Sequence, residues 1–443
     1  MSLSPSTFET IVPSRYTTFT LPINHHHHLR IAVLDSPSTA TGADAIAAMS
    51  VPHGRESDWI FSTFSGHLQL LLSSPAAQPL SRLILIGKTP SHPNPTSYNT
   101  SLYSSSPNHL QQIIDNLLLD LTPKSAFLDN GETPEVPFFI YEDDVVRSSI
   151  LEICEGPCVG EMLIENVELE ISDGVKEFRR RLRFKRMPNF VQTEVKIRPK
   201  NVSSLEDFDN VEFELDKGVL VHQYLSPMVA GVSVISRFLE GRTRNGFRPI
   251  ALCLGVGGGA LLGFLSVQLN FEVVGLEEDE VVLDVAKRYF GLESDELIRL
   301  FAEDGIKYVE NLAKSITQDC KFDVVMVDLD SSDAAVGVCA PPVEFVRKSV
   351  LVAAREVLCD EGVLVINTIP SNKSFYERLI SELKEVFEEL YEIDVGNGDN
   401  FVLIATKSKV GNPLDDAYEE DTFLKKLKQV VSTSYIDSIK KIL

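Results

Sequence analysis

The sequence predicts an α/β fold with a doubly wound sheet, preceded by a smaller α/β accessory domain. From residue 249 onward, short apolar runs with β character alternate with amphipathic helical segments, as strands joined by crossover helices do. Before residue 206, apolar runs at 31–34, 83–86 and 138–141 and a helical pattern over 110–121 indicate a separate unit. Because right-handed crossovers place the carboxyl ends of parallel strands at one edge, we expect a ligand site along that edge.

The length of 443 residues suggests more than one domain, because globular domains average roughly 150 residues. We predict an accessory domain over residues 1–205, a connecting segment over 206–248, a doubly wound domain over 249–412 and a helical tail over 413–443. In the doubly wound domain, strands are predicted at 250–254, 271–276, 322–327, 363–367 and 400–406, and helices at 260–269, 280–289, 342–358 and 374–390.

Alternation over residues 176–198 predicts two further strands on either side of Pro188-Asn189. The first of them carries a basic cluster: Arg179, Arg180, Arg181, Arg183, Lys185 and Arg186. We interpret the cluster as a solvated strand face offset by acidic neighbours, with a site for an acidic ligand as the alternative.

The charge balance excludes some classes of function. The 64 Asp and Glu against 41 Lys and Arg give a net charge of −23, which repels phosphate backbones and anionic lipids. We therefore expect no nucleic-acid partner and no membrane surface, and a basic protein partner instead.

The six cysteines form no CxxC pair, and a chain of this size does not need disulfides for stability. They indicate reduced thiols in a cytoplasmic protein. Cys154 and Cys158 have CxxxC spacing, but no second Cys/His pair lies nearby, so no metal site is predicted.

The segment CLGVGGGALLGFL at 253–265 places Gly255, Gly257 and Gly259 between a strand and a helix. Glycines permit a tight turn and let backbone N–H groups approach a ligand at the helix N-terminus. The turn can be read as GxGxxA of a dinucleotide site, with Glu277 22 residues after Gly255 as the ribose-binding acid. A glycine turn that binds no ligand is the other possibility.

Three acidic positions favour S-adenosylmethionine over a dinucleotide. Glu277 ends the second strand and can accept both ribose hydroxyls. Asp304-Gly305 lies in the next loop of the same edge, where an acid can accept the adenine amino group, and Asp328 ends the strand after it. A glycine turn, an acid, an Asp-Gly pair and a further acid at four successive strand ends are typical of S-adenosylmethionine enzymes. No hydride-transfer partner for a nicotinamide is evident.

The chain then resembles a known family, the elongation factor 1-alpha lysine and N-terminal methyltransferases, over their C-terminal half. The resembling segments are VPHGRESDWIFST at 51–63, FRRRLRFKRMPNFVQTEVKI at 178–197, HQYLSPMVAGVSVI at 222–235, the glycine turn, AEDGIKYV at 302–309 and FDVVMVDLDSSDAAVGVCAPPVEFV at 322–346. More distantly, residues 219–410 resemble spermidine synthases.

The resemblance implies an S-adenosylmethionine-dependent protein methyltransferase with a Rossmann-like class I sheet over 249–412. Its expected acceptor is the α-amino group of an elongation factor 1-alpha-like protein. The lysine activity resides in the other half of the family proteins and is not implied here.

Residue roles follow from position and charge and, for Asp328, also from the resemblance to spermidine synthases. Asp328 would orient the acceptor amine and take or relay its proton, Asp330 would hold the ammonium form, and Asp328 would border the donor as well. The segment over 206–248 would border the acceptor site through His222, Gln223 and Tyr224. Loop capping by Asp330, and simple packing of the residues at 222–224, are the alternatives.

Two other classes of function remain open at this stage. A polyamine aminopropyltransferase would use the same fold with a decarboxylated donor, although the glycine turn lacks the GDGG form of those enzymes. A non-catalytic, donor-binding scaffold is the second.

Overall fold

The structure is a computed structural model that describes residues 5–23, 28–38, 45–74, 78–89, 108–127, 134–172, 174–201, 208–315, 321–396, 398–410 and 422–443. The strands are β1 (Tyr16–Pro22), β2 (His28–Asp35), β3 (Ile46–Ser50), β4 (Arg82–Lys88), β5 (Phe138–Ile140), β6 (Val145–Gly156), β7 (Gly160–Ser172), β8 (Val175–Phe184), β9 (Val191–Pro199), β10 (Phe213–Leu215), β11 (Ile250–Leu254), β12 (Glu272–Glu277), β13 (Ile298–Ala302), β14 (Phe322–Val327), β15 (Ser331–Asp333), β16 (Gly337–Cys339), β17 (Leu358–Thr368), β18 (Glu389–Asp394), β19 (Phe401–Thr406) and β20 (Lys440–Lys441). The α-helices are α1 (Trp59–Ser62), α2 (Phe64–Leu72), α3 (Asn108–Asp120), α4 (Leu225–Gly231), α5 (Ser236–Arg244), α6 (Ala260–Leu269), α7 (Glu280–Phe290), α8 (Gly305–Leu312), α9 (Lys348–Val357), α10 (Lys373–Val386), α11 (Thr422–Val430) and α12 (Thr433–Asp437).

The largest sheet, called the third sheet below, has the strand order β13-β12-β11-β14-β17-β19-β18-β20. Strands β13, β12, β11, β14 and β17 run parallel, so their carboxyl ends share one edge. Successive residues of these strands enter two apolar cores, one packed with α4, α5, α6 and α11 and the other with α8, α9 and α10. Helices on both faces confirm the predicted doubly wound α/β sheet.

The third sheet is not parallel throughout. β19 runs antiparallel to β17, and β18 runs antiparallel to β19. The predicted helix over 374–390 ends at Val386, and residues 389–394 form β18 instead, because Leu390 and Ile393 are buried when that strand pairs with β19. Helical periodicity cannot reveal such a strand, since its pairing is set by a distant segment.

Three other local predictions need correction. β13 has no counterpart in the predicted strands. The helix predicted from residue 342 begins only at Lys348, because residues 342–346 form hydrogen-bonded turns. Asp304 does not lie within an open loop; it is the N-cap of α8.

The N-terminal half contains two sheets. The first sheet, order β1-β2-β4-β3-β5, packs with α1, α2 and α3, and the second sheet is an antiparallel meander, order β10-β9-β8-β7-β6. The predicted strands at 31–34, 83–86, 138–141 and 176–198 and the helix over 110–121 are confirmed to within a few residues. The division of the chain into domains stays a prediction.

The basic cluster, which lies on β8 and in the turn after it, has the predicted acidic neighbours, but its β8 residues do not form a solvated face. Arg179 and Arg181 both pair with Glu194, while Arg183 is 5% exposed and pairs with Glu165 at 2.8 Å. The opposite face of the second sheet packs Met162 and other apolar residues against α7.

The described cysteines (Cys154, Cys158, Cys253, Cys339 and Cys359) are free. In the part of the chain that the structure describes, no helix combines the length and apolar character that crossing a membrane requires. The acidic stretch at 415–421 lies outside the described residues.

Candidate functional site

A cavity of about 370 Å³ opens at the carboxyl ends of β11, β12 and β14. Its floor is the glycine turn after β11, and its sides are the loops that follow β12, β13 and β14. A third wall comes from the second sheet, from the β6–β7 turn and the start of β9. This position is the ligand-binding edge that a doubly wound sheet provides.

The glycine turn fits closely against its neighbours. Gly255 and Gly257 line the cavity with φ of +88° and +51°, and a Cβ on Gly255 would overlap the carbonyl oxygen of Asp328. Gly259, with φ of +80°, starts α6 against the Leu292 side chain and is absent from the cavity lining. The turn is therefore open to a ligand at two of its three predicted glycines.

Glu277 ends β12 and bonds to the glycine turn itself. Its Oε2 accepts hydrogen bonds from the backbone N–H groups of Val256 (3.2 Å) and Gly257 (3.1 Å). Burial raises the pKa of this carboxyl, although the backbone hydrogen bonds oppose the shift. A carboxylate oxygen can accept more than one hydrogen bond, so Glu277 keeps capacity for ligand hydroxyls.

Asp304 and Gly305 both line the cavity, and Asp304 also has a structural role. Its Oδ1 caps α8 by accepting from the N–H groups of Ile306 (2.9 Å) and Lys307 (3.1 Å), and its Oδ2 pairs with the Lys307 Nζ at 2.8 Å. Burial alone would raise the pKa of Asp304, but these interactions with Lys307 and Ile306 lower it. Asp304 therefore stays an anionic acceptor at the cavity edge.

Asp328 follows β14 and is held through both carboxylate oxygens. Asn367 Nδ2 donates to its Oδ1 at 3.0 Å, and Tyr224 Oη donates to its Oδ2 at 3.2 Å. Burial raises the pKa of Asp328 to about 6, and the charge of Asp330 adds to the rise. The site thus contains an oriented carboxyl that gains and loses a proton near neutral pH.

Asp330 lies beside Asp328 and also lines the cavity. Burial raises its pKa, and Ser332, Arg186 and Gln192 oppose the rise. Arg186 is the basic residue among the described lining residues, so the negative potential around Asp328 is only partly offset.

The three residues predicted on the acceptor side have different positions. Tyr224 contacts Asp328 directly, and its pKa is raised well above the usual value by burial, so it remains a proton donor in the hydrogen bond. His222 lines the cavity, and burial lowers its pKa, so its ring is neutral near pH 7. Gln223 is exposed and is absent from the lining.

Several contributors are missed by sequence reasoning. Asn367 is the penultimate residue of β17, and its place near the end of a strand is the only sign of it in the sequence. Thr193 on β9 accepts a hydrogen bond from the Gly258 N–H at 2.8 Å. Asp279 Oδ2 accepts from the N–H groups of Cys158 (2.8 Å) and Val159 (3.0 Å) in the β6–β7 turn. These contacts make the second sheet part of the site.

The geometry suits a cationic ligand beside an amine. Glu277, Asp304, Asp328 and Asp330 surround the cavity, and no group of three or more His, Cys, Asp or Glu among the described residues could hold a metal ion. The residues fit S-adenosylmethionine, because the close-fitting glycine turn and Glu277 border a space with a negative potential that favours a sulfonium.

No family model matches the chain. The Drosophila melanogaster protein named "eEF1A lysine and N-terminal methyltransferase homolog" is 28% identical over 358 residues, covering 81% of this chain and 48% of the relative. The chain thus spans about half the length of the curated relatives of this name. The resemblance identified from the sequence segments is confirmed by these relatives.

A second class of relative matches a shorter part. The polyamine aminopropyltransferase of Vibrio vulnificus is 24% identical over 197 residues, covering 43% of this chain and 62% of that enzyme.

A crystal structure of human methyltransferase-like protein 13 in complex with SAH is 24% identical with a TM-score of 0.41, covering 48% of this chain and 93% of the other. That superposition is too loose to support a conclusion.

Proposed function

We propose that the protein is an S-adenosylmethionine-dependent protein methyltransferase acting on an amine, the α-amino terminus of a basic protein similar to elongation factor 1-alpha. The observation that carries the proposal is Asp328, held by Tyr224 and Asn367 next to the glycine turn. The names of the curated relatives support the reaction and the acceptor, and a cytoplasmic location accords with a translation factor as substrate.

The donor would be held by the edge described above. Backbone N–H groups of the glycine turn at Gly255 and Gly257 would contact its amino-acid part, Glu277 its ribose, and Asp304 with Gly305 its adenine. When bound, S-adenosylmethionine supplies a methyl group on a cationic sulfur, which is a good leaving group. The protein's contribution is therefore mainly alignment and exclusion of water.

The acceptor amine has to lose a proton before it can attack. An α-amino group titrates near ~7.7–8.0, so a substantial part is protonated at neutral pH. Asp330 would hold the ammonium by charge, and Asp328 would orient the amine and take or relay its proton. With the Asp328 pKa at about 6, the proton transfer is uphill by about two pKa units, or about 3 kcal/mol, which is small beside an enzymatic barrier.

The rest of the surface is consistent with a basic acceptor. A net charge of −23 attracts a positively charged protein over distances near the Debye length of about 8 Å at physiological salt.

A polyamine aminopropyltransferase is the second candidate, favoured by the paired Asp328 and Asp330 and by the Vibrio vulnificus relative. Against it, the turn sequence GVGGG has no acid at its second position, unlike the GDGG form.

One experiment separates the candidates. The protein is incubated with methyl-labelled S-adenosylmethionine and the peptide Ala-Arg-Ala-Arg-Ala-Arg-amide, whose only amine is its α-amino group, and in parallel with putrescine and decarboxylated donor. We expect label on the peptide amine. Spermidine formation without peptide methylation would favour the second candidate. Donor binding in calorimetry without transfer to either acceptor would support the donor-binding scaffold, and absence of donor binding would contradict the proposed donor site.

A further inference from the structure

The first sheet and its helices, residues 16–140, provide none of the described residues that line the cavity. They nevertheless contact two segments that adjoin the lining residues Arg186, Phe190 and Asp330. We call these two segments the acceptor-side wall: the β8–β9 turn, residues 185–190, and the β15–β16 hairpin, residues 331–339.

The β8–β9 turn contributes Arg186 and Phe190 to the cavity lining. Gln69 on α2 accepts a hydrogen bond from the Asn189 N–H at 3.0 Å, and Gln69 is 9% exposed. From the neighbouring strand, Arg183 donates through one nitrogen to Pro188 O (2.9 Å) and to Asp58 Oδ1 (3.1 Å). The backbone of the turn is thus bonded to residues 16–140 directly at Asn189 and through Arg183 at Pro188.

The β15–β16 hairpin lies between two lining residues, Asp330 before it and Ala340 after it. Its Ala334 is 8% exposed and belongs to the apolar core formed by α1, α2 and the first sheet. The buried Ala334 methyl group anchors the hairpin to this core by packing, because moving the hairpin away would leave an unfilled cavity there.

The two parts of the wall also contact each other. Arg186 Nε donates to Ser332 Oγ at 3.3 Å, and Ser332 is 8% exposed. A shift of either segment therefore disturbs the other and moves Arg186 relative to Asp330. Among the described residues, the hydrogen bonds that hold the glycine turn and the β6–β7 turn on the donor side come from the second and third sheets.

We propose that residues 16–140 determine how well the acceptor binds. They do so by holding the acceptor-side wall in place through Gln69, Asp58 and the apolar core that surrounds Ala334. The inference rests on the proposed function, because it assigns the wall to the amine-bearing acceptor. The residues concerned are positioning residues, which act through Arg186, Phe190 and Asp330.

The test compares Ala334→Asp with Val336→Asp, which adds the same charge to the same hairpin at a position that is 80% exposed. We expect Ala334→Asp to raise the KM for Ala-Arg-Ala-Arg-Ala-Arg-amide at least fivefold, while the Kd for S-adenosylmethionine changes less than twofold. Val336→Asp should leave both unchanged. Equal acceptor KM values for Ala334→Asp and wild type, or a parallel loss of donor affinity, would overturn the proposal.

A second pair of variants, at Gln69, tests the proposal independently in case Ala334→Asp does not fold. Gln69→Leu removes the acceptor for the Asn189 N–H, whereas Gln69→Glu keeps one. We expect faster amide hydrogen exchange at residues 185–190 and 331–339 in Gln69→Leu and Ala334→Asp, with unchanged exchange at 255–259. If wild type methylates no peptide, the proposed function fails; unchanged exchange of the wall in both variants contradicts the present inference regardless of activity.

Discussion

At the scale of single residues, the proposed chemistry depends on Asp328. Both its carboxylate oxygens accept hydrogen bonds, from Asn367 and Tyr224, and burial brings its pKa to about 6. Such a carboxyl is ionised at neutral pH yet basic enough to share a proton with an amine.

The variant Asp328→Asn should lose most turnover and keep donor affinity. The amide fills the same space but cannot take a proton, so we expect kcat to fall about 10²–10⁴-fold. Calorimetry should show a Kd for S-adenosylmethionine within twofold of wild type. Asp333→Asn, at an exposed position of the β15–β16 hairpin, is the matched control. Retention of full turnover by Asp328→Asn would exclude Asp328 as the base.

The pH dependence follows from the raised pKa of Asp328. Its carboxylate is the active form, so kcat/KM for the peptide should fall as pH drops through about 6. Because the hydrogen bond from Asn367 lowers that pKa, Asn367→Leu should move the acidic limb to higher pH. Pre-steady-state rates between pH 5 and 8 measure the shift; an unmoved limb would show that another group is being titrated.

The raised pKa of Asp328 also makes the free energy of unfolding depend on pH. A carboxyl whose pKa is raised in the folded state binds its proton more tightly there than in the unfolded chain, where it titrates near ~3.9. The stabilisation is therefore complete below that pH and is lost as pH rises through about 6. Asp328→Asn should flatten this part of the curve of unfolding free energy against pH in urea titrations.

Glu277→Ala tests the donor side. The carboxylate connects the end of β12 to the glycine turn through the Val256 and Gly257 N–H groups, so its removal leaves those donors unpaired as well. We expect the Kd for S-adenosylmethionine to rise at least tenfold, with Glu280→Ala on the exposed side of α7 as control. Equal donor affinity in wild type and Glu277→Ala would contradict the proposed donor contacts.

At the scale of elements, the second sheet is docked on the donor edge. Thr193 on β9 contacts the glycine turn, the β6–β7 turn bonds to Asp279 at the start of α7, and the sheet packs its apolar face on α7. The proposed donor site is consequently shared between the second and third sheets, through contacts between residues 65 and 121 positions apart.

Thr193→Val should weaken donor binding, because valine has the shape of threonine but leaves the buried Gly258 N–H without an acceptor. We expect a fivefold to tenfold rise in the Kd for S-adenosylmethionine, and Thr193→Ser should restore most of the affinity. A merely packing-related role would produce the reverse ranking, since valine fills the space better than serine.

At the scale of the whole molecule, charge is the dominant feature. With a net charge of −23, encounter with a basic acceptor should be electrostatically assisted and hence screened by salt. We expect kcat/KM for the arginine-containing peptide to fall several-fold between about 0.05 M and 0.5 M NaCl, whereas an uncharged Ala-Ser-Ala-Ser-Ala-Ser-amide should respond little. Equal salt dependence for both peptides would show that charge does not guide the acceptor.

The sequence by itself determined the parts that depend on local pattern. Alternation of apolar residues fixed most strands and helices, and the glycines at 255–259 with acids at 277, 304 and 328 located the edge, because parallel strands end at the same side of a sheet. The tertiary structure alone decided which groups meet: that Asn367 and Tyr224 hold Asp328, that Thr193 contacts the glycine turn, and that Gln223 faces solvent. The tertiary structure alone also decided that residues 389–394 form β18 and that residues 16–140 contact the acceptor-side wall. These features arise from contacts between segments tens to hundreds of residues apart, whose pairing no local periodicity records.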